Sequence, residues 1–230
     1  MDWQISIIKE VVKVPKTNLG LVEYCKAQLG LPYWWGTFGH VATEGLLRQK
    51  SAQYPKYYTA NDFNKQYGKR VHDCVGLIKG YLWCDTPTST PKYNANQDKN
   101  VSGMLEKCSL TGNINTMPDM VGTLVFMDGH VGVYIGNGKV IEARGHAYGV
   151  VETNLIGRGW TKWGQLDWID YADEKVIELF KDGDELKAID YLVETGRILD
   201  KEQALKKLEI IKNENWTYIK WANDVKTLLN

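Results

Sequence analysis

Cys74 is the side chain in this sequence that is best placed to act as a nucleophile. It follows Asp73, a residue type that caps helix N-termini, and it opens a run with helical spacing of apolar residues. The unpaired backbone N–H groups and the dipole at a helix N-terminus favour a thiolate, the reactive form of cysteine. The sequence therefore predicts an activated thiol, and the alternative is a small packing residue.

His130 and Glu142 are the candidate partners of this thiol. His130 opens an apolar strand, and Asn137-Gly138 is a strong signal for a tight hairpin turn. The hairpin brings Glu142 back towards the sheet end where His130 starts. An imidazole there can take the thiol proton, and a carboxylate can hold its tautomer. The alternatives are an exposed turn histidine and a solvent-facing strand glutamate.

The elements that position these residues change character along the chain. The first half predicts helices and the region after Val121 predicts short strands, which is an α+β layout. Between them lies a polar, turn-rich segment that predicts a long surface loop. The predicted helices are 18–29, 40–49, 61–67 and 73–83, the strands are 123–126, 131–135, 139–143, 150–153 and 165–169, and the loop is 85–100.

The composition changes again near residue 172. Residues 173–230 are almost free of glycine and predict three short helices: one with Leu186 to Val193, one capped by Asp200, and one that contains Trp216. The sequence therefore predicts a catalytic unit at 1–172 and a small helical bundle at 173–230. Whether the bundle binds the target of the catalytic unit, another copy of the chain or the catalytic unit itself stays open.

Charge and hydropathy exclude several classes of protein. The 28 basic and 28 acidic residues balance, which argues against a dedicated nucleic-acid binder. No apolar run reaches the roughly 18 residues of a membrane span, and the start of the chain lacks the apolar core of a signal peptide. We therefore expect synthesis in the cytoplasm. The four cysteines form no CxxC pair, so we expect reduced thiols and no zinc knuckle.

Three motifs carry a resemblance to the NlpC/P60 cysteine peptidases, over residues 18–170. Asp73-Cys74-Val75-Gly76-Leu77-Ile78 resembles the D-C-S-G-L-V signature of that family. Residues 130–143, from His130 to Ala143, resemble H-V-G-I-Y-x-G-N-G-x-x-I-H-A. Residues 27–36 resemble the upstream segment A-x-x-x-x-G-x-P-Y-x-W-G-G.

The resemblance implies a papain-like fold and an enzyme that cleaves amide bonds in the stem peptides of bacterial peptidoglycan. It implies that Cys74 is the nucleophile, His130 the base and Glu142 the third polar residue. It also implies that Tyr33 supports the oxyanion and that Asp73 helps to bind the substrate amine. No metal or organic cofactor is implied. An endolysin that leaves the cytoplasm through a holin suits such a chain.

Two further residues are candidates for substrate binding. Trp34 can line a peptide or glycan groove, and Arg144 can meet an acidic group of the stem peptide. The alternatives are packing for Trp34 and a solvated surface for Arg144. The histidines His72 and His146 lie near the motifs, and we expect a loop and a surface position for them.

The sequence departs from the family pattern at three places. Val75 stands where the family has serine, and Glu142 stands where histidine is more common, which resembles the related CHAP amidases. Residues 37–72 form an insert that we expect to wall or cap the cleft. A sugar–peptide amidase, an acyl transferase and a non-catalytic wall-binding protein therefore remain alternatives. The sequence leaves the scissile bond, host and oligomeric state open.

Overall fold

The fold combines helices with an antiparallel sheet, which confirms the predicted α+β class. The computed structural model describes residues 16–171, 175, 178–179, 183–194, 201–202, 204–206 and 209. The helices are α1 (Asn18–Ala27), α2 (Glu44–Gln53), α3 (Cys74–Trp83), α4 (Val101–Leu105) and α5 (Glu185–Glu194). The strands are β1 (Phe38–Val41), β2 (Arg70–His72), β3 (Cys108–Asn113), β4 (Leu124–Met127), β5 (His130–Gly136), β6 (Lys139–Ala143), β7 (Val150–Asn154) and β8 (Lys162–Leu166).

Six of these strands form one antiparallel sheet in the order β3-β8-β4-β5-β6-β7. At its centre the β5–β6 hairpin turns through Asn137 and Gly138, which have φ angles of 52° and 66°. Both angles lie in the left-handed region that a two-residue hairpin turn of type I′ requires, which is why asparagine and glycine occupy these positions. The register places Val133 opposite Ile141, so the hairpin that the sequence predicts is the one observed.

Both faces of the six-stranded sheet are covered. Helices α1 and α3 pack on one face and bury the main apolar core, which includes Leu21, Leu77, Ile78, Leu124, Val133 and Ile141. The opposite face carries a second cluster of Val125, Tyr134, Val140 and Trp160. The strand that starts at His130 therefore lies between two packed layers, which limits its movement.

The N-terminus of α3 is built by Asp73 and Gly76. The Asp73 backbone is extended, and its Oδ1 accepts the Gly76 N–H at 2.6 Å, as the predicted N-cap requires. A Cβ on Gly76 would lie 1.8 Å from the Thr37 carbonyl oxygen. Glycine is therefore needed where the insert crosses the helix. The Asp73 N–H donates to the same Thr37 oxygen at 2.9 Å, which joins the insert to the helix end.

The insert at 37–72 has its own small hydrophobic core. Strands β1 and β2 pair with each other, and Ala42, Phe63 and Val71 pack with Trp34 beneath α2. Of the two helices predicted in the insert, the first is α2. The second is a single 3-10 turn, Phe63–Gln66, because Phe63 turns inwards to this core and the segment around it is short.

Several boundaries differ from the sequence prediction. Strand β3 and helix α4 lie in a stretch for which we predicted no element, and β8 ends at Leu166 where the prediction had a strand to Ile169. In the tail, α5 matches the predicted helix, but Leu186 is 62% exposed and Ala188 and Ile189 are buried in its place. The predicted cap at Asp200 and the helix with Trp216 lie outside the described residues. No helix among the described residues is long and apolar enough to cross a membrane.

Candidate active site

Cys74 occupies the first turn of α3 and faces the beginning of β5. The residue is 6% exposed, and backbone N–H groups of Val75 and Val131 point at its sulfur. Val131 directly follows His130 in the chain. The packing of α3 on the sheet therefore brings the nucleophile candidate beside the start of the strand that carries the base candidate.

The electrostatic environment of Cys74 differs from the sequence expectation. Burial, and next the negative charge of Asp73, raise the pKa of the Cys74 thiol to about 12. The amide groups at the helix N-terminus lower this pKa, as predicted, but burial outweighs them. The free site thus holds a neutral thiol at pH 7, and a base is needed to produce the thiolate.

His130 is held by Glu142 through one ring nitrogen. The His130 Nε2 lies 2.7 Å from Glu142 Oε2, and the imidazole stacks on Trp160 with ring centroids 5.7 Å apart and planes at 14°. The histidine side chain is 16% exposed and the glutamate is fully buried. Because an ionised carboxylate only accepts hydrogen bonds, a neutral His130 donates from Nε2 and keeps a lone pair on Nδ1.

Glu142 receives four hydrogen bonds in all. Thr153 Oγ1 and Arg158 Nε each donate to Oε1 at 2.8 Å, and Arg158 Nη2 donates to Oε2 at 2.8 Å beside His130. Burial raises the pKa of Glu142, but the bonds from His130, Arg158 and Thr153 lower it by more, so that the pKa falls to about 2. The carboxylate is therefore ionised at neutral pH although it is buried.

Asp73 is the second buried carboxylate of the site. Its Oδ1 caps α3, and its Oδ2 accepts the Gly36 N–H at 2.8 Å. Burial raises the pKa of Asp73, and the two amide donors lower it only in part. Both oxygens are engaged by the backbone, so in this structure Asp73 ties the segment around Gly36 to the helix that carries Cys74.

Comparison with known proteins finds a family to which part of the chain is similar. A family model described as the NlpC/P60 family matches residues 56–167, which include Cys74, His130 and Glu142. The chain carries an NlpC/P60 family domain. The family is one of cysteine peptidases, and the predicted resemblance to it is confirmed over a range that includes the motifs at 73–78 and 130–143.

Two relatives with an assigned name are similar to part of this chain. The probable endopeptidase p60 of Listeria innocua is 32% identical over 101 residues, which are 42% of this chain and 19% of that protein. The Listeria monocytogenes protein of the same name is also 32% identical over 101 residues, 18% of its length. The chain thus matches less than a fifth of the length of these two relatives.

Solved structures of NlpC/P60 proteins superpose on the chain over a similar region. NlpC2 from Trichomonas vaginalis gives a TM-score of 0.41 at 15% identity, covering 70% of this chain and 49% of that one. The peptidoglycan hydrolase RipB from Mycobacterium tuberculosis gives 0.38 at 19% identity, covering 67% of each chain.

Tyr33 lies near Cys74, the candidate nucleophile. It forms an isolated parallel bridge with His72, and the charges of Asp73 and Cys74 act on its hydroxyl. Burial, and next the Asp73 charge, raise the pKa of Tyr33 far above its ordinary value. The phenol is therefore a neutral O–H donor throughout the pH range in which a protein stays folded.

The structure places Trp34 away from any groove, contrary to the prediction. Its side chain is fully buried, it packs edge-on against Phe63 and Tyr58, and its Nε1 donates to Gln66 Oε1 at 2.5 Å. The next residue, Trp35, is the one that reaches the surface. It stacks on Tyr57 with ring centroids 3.7 Å apart.

An open groove of about 560 Å³ runs beside the turn that precedes His130. Trp35 forms one wall, and α4 with the β4–β5 turn forms the others. The lining residues include Trp35, Asn100, Ser102, Met127, Asp128 and Lys162. This groove has the size and the mixed polarity that suit a short peptide.

The remaining candidates do not contact the pair of His130 and Glu142 in the described part of the chain. Arg144 is exposed and its guanidinium stacks on Tyr148 at 4.2 Å. His72 is fully buried in β2 and bonds to the Tyr24 hydroxyl, where we had predicted a loop. His146 is not a free surface residue either, because its Nε2 bonds to Asp62 of the insert at 2.7 Å.

Arg158 and Thr153 are the site residues that the sequence reasoning missed. Thr153 lies on β7, where a single threonine carries no signal. Arg158 lies in the loop before β8, between Gly157 and Gly159, in a segment without periodicity. The signal that existed was the replacement of the usual histidine by Glu142, because a buried carboxylate needs a cation or several donors.

Proposed function

We propose that this chain is a peptidoglycan hydrolase that cleaves an amide bond in cell-wall stem peptides through Cys74, His130 and Glu142. The observation that carries the proposal is the 2.7 Å bond between His130 Nε2 and the buried Glu142, next to a cysteine at a helix N-terminus. This is the order of nucleophile, base and orienting group that covalent amide hydrolysis uses.

In the proposed reaction, His130 Nδ1 takes the proton of Cys74 and the thiolate attacks the scissile carbonyl carbon. The Tyr33 hydroxyl and the backbone N–H of Cys74 donate to the oxyanion that forms. The imidazolium then gives its proton to the leaving amine, and the acyl group stays on sulfur as a thioester. His130 next takes a proton from water, and the hydroxide attacks the thioester carbonyl. The intermediate then collapses to a free carboxyl group, and the Cys74 sulfur leaves and takes the proton back from His130.

A digest of purified peptidoglycan tests this proposal. We expect wild type to release free amines, and Cys74→Ala and His130→Ala to release none above background. Cys108→Ala is the matched control, because Cys108 lies in β3, and it should keep wild-type activity. Lysis by Cys74→Ala at the wild-type rate would contradict the mechanism.

Mass spectrometry of the same digest identifies the bond. A new free carboxyl and amine within the stem peptide support the endopeptidase. A new N-terminal alanine with an unsubstituted muramyl carboxyl would mean that the sugar–peptide amide is cut, and would replace the endopeptidase by an amidase. If correctly folded wild-type protein releases no product, the chain would be a wall-binding protein without catalytic activity.

We also propose an endolysin-type role, in which the chain is made in the cytoplasm and reaches the wall after a holin opens the membrane. The motif resemblance to wall-degrading enzymes supports it. Expression of the chain alone should leave host cells intact, and expression together with a holin should lyse them. Lysis without the holin, or none with it while the purified protein digests peptidoglycan, would contradict this role.

A further inference from the structure

The contact between Arg158 and Glu142 goes beyond the proposed triad. We propose that Arg158 is a positioning residue for the reaction: it holds Glu142 ionised in one orientation and limits how strongly Glu142 retains a proton on His130. The inference rests on the proposed function, because it needs His130 to act as the base.

The geometry supports the orienting part of the role. The Nε and Nη2 of Arg158 bond to the two different oxygens of Glu142, both at 2.8 Å, in a bidentate pair. Thr153 is the second donor on Oε1, and His130 bonds to Oε2 beside the Arg158 Nη2. With both oxygens engaged, the carboxylate cannot rotate without losing two charge-assisted bonds, and the imidazole that it holds stays in one plane.

The placement of the charge supports the tuning part. Glu142 is fully buried, and a buried carboxylate without a cation stabilises a neighbouring imidazolium strongly. A base that holds its proton too firmly is inactive at neutral pH. The Arg158 guanidinium offsets part of the carboxylate charge that faces the imidazole, while Glu142 still holds the ring through its Nε2.

The other charged or titratable groups near this pair lie on separate elements. Cys74 of α3 faces the site as a neutral thiol, and Tyr148 acts on Arg158 from the β6–β7 loop. Trp160 carries no charge, stacks on His130, and lies under the guanidinium at 5.6 Å. Among these groups Arg158 is the cation that contacts Glu142.

The loop that carries Arg158 is shaped to hold it there. The flanking residues Gly157 and Gly159 have φ angles of 82° and 90°, which other residues rarely adopt. The Arg158 side chain is 23% exposed, so it is largely withdrawn from solvent. Its aliphatic stem and guanidinium are packed, and the pair with Glu142 is weakly screened by salt.

The test compares pH–rate profiles of Arg158→Gln and Arg158→Lys with wild type, using initial amine release from limiting purified peptidoglycan. Glutamine removes the charge, so we expect the acid limb to move to higher pH by about one unit and the rate on that limb to fall by up to about tenfold. Lysine keeps the charge, so the limb should stay within a few tenths of a unit while the rate falls moderately.

Controls separate this inference from the proposed function. Arg48→Gln removes an exposed arginine of α2 and should leave rate and profile unchanged. If His130→Ala retains activity, the triad itself is wrong. If His130→Ala is inactive but Arg158→Gln keeps its acid limb in place, or moves it to lower pH, the triad stands and the role of Arg158 is wrong.

A second measurement covers the case in which Arg158→Gln does not fold. Nitrogen NMR of the wild-type chain, with His130 assigned by its loss in His130→Gln, reports the neutral tautomer directly. We expect the proton on Nε2, hydrogen-bonded to the carboxylate, and the same tautomer in Arg158→Lys. A neutral ring protonated at Nδ1 would overturn the inference, because Glu142 would then not be the ionised acceptor.

Discussion

The candidate site contains two buried carboxylates, Asp73 and Glu142, whose pKa values move in opposite directions. Asp73 accepts two backbone amides, and burial raises its pKa. Glu142 also loses its solvent, yet its pKa falls to about 2 because Arg158, His130 and Thr153 donate to it. Both carboxylates are hydrogen-bonded on both oxygens, but Glu142 accepts four bonds from side chains and Asp73 accepts two from the backbone, and their donors differ in kind.

The difference lies in the charge of the donors. Two neutral amides replace lost water without cancelling the negative charge, and burial then dominates for Asp73. For Glu142, the bond from His130 and then the bidentate bonds from the Arg158 guanidinium, with a smaller part from Thr153, lower the pKa by more than burial raises it. The first arrangement builds a helix end next to Cys74 and keeps its thiol protonated. The second keeps an anion available to orient His130.

The largest effect should come from Glu142→Gln. A glutamine has one carbonyl oxygen and one NH₂ group, and the NH₂ group cannot accept a hydrogen bond from Arg158 or His130. The Arg158 guanidinium also loses the negative charge that it pairs with. We expect the rate of amine release to fall by about 10³-fold and the free energy of unfolding to fall by about 2–4 kcal/mol. Urea denaturation at pH 7 and the peptidoglycan digest measure the two quantities.

Glu152→Gln is the matched control on the neighbouring strand β7. Glu152 is 44% exposed and pairs with Lys139 at 3.5 Å on the surface. We expect Glu152→Gln to lower the free energy of unfolding by less than about 0.5 kcal/mol and to leave the rate unchanged. A Glu142→Gln variant that keeps its rate within tenfold of wild type would remove Glu142 from the mechanism.

The next effect is the pH dependence of stability. The folded-state pKa of Glu142 is about 2 and its ordinary value is 4.5, so its contribution is full above pH 4.5 and is lost as pH falls through 2. We expect the stability gap between wild type and Glu142→Gln to shrink by about 3 kcal/mol over that window. Urea denaturation from pH 6 to pH 2 measures it.

For Asp73, the same experiment should give a pH effect on stability of the opposite sign. Its pKa is raised on folding, so ionisation disfavours the folded state above its ordinary value of 3.8, and the penalty disappears as pH falls. The gap between wild type and Asp73→Asn should therefore move in favour of wild type on acidification. Gaps that shift in the same direction for both variants would contradict the comparison.

The contrast also explains how much of the site the sequence predicts. Cys74 follows a helix cap and His130 and Glu142 flank a two-residue turn, so each position depends on signals within a few residues. Arg158 reaches Glu142 from a loop 16 residues away. Its position depends on how β7 and β8 place that loop, which no local pattern encodes.

Trp34 shows the same limit for binding residues. The sequence predicts that Trp34 lines a groove, but neighbouring side chains in an extended segment point to opposite sides. Trp34 turns towards Phe63 of the insert, while Tyr33 and Trp35 face the site and the groove. Which of the three is buried depends on the fold of the insert, and its aromatic partners come from distant positions.

A smaller effect should come from Asp73→Asn. Asparagine is a good N-cap through its carbonyl oxygen, but its NH₂ then faces the Gly36 N–H, at a cost of about 1 kcal/mol. Loss of the negative charge should lower the pKa of the Cys74 thiol, and iodoacetamide should label it about three- to tenfold faster at pH 8. Peptide mass spectrometry measures the labelling of each cysteine.

Asp85→Asn provides the control for this labelling. Asp85 is exposed, pairs with Lys92, and lies next to Cys84 in the chain. Its substitution should leave the labelling of Cys74 unchanged. Slower labelling of Cys74 in Asp73→Asn would show that the carboxylate favours the thiolate, which is the reverse of the effect argued from the structure.

The smallest effect should come from Thr153→Val, which removes one neutral donor from Glu142 and keeps Arg158 in place. We expect about 1 kcal/mol of lost stability and a rate within about fivefold of wild type. Thr123→Val is the control, because within the described residues the buried Thr123 hydroxyl has no partner, and this variant should be as stable as wild type.

If neutral hydrogen bonds, and not the guanidinium, keep Glu142 ionised, Thr153→Val would move the acid limb of the pH–rate profile as far as Arg158→Gln does. An unmoved limb in Thr153→Val beside a moved limb in Arg158→Gln assigns the difference between Asp73 and Glu142 to the charge of the donor.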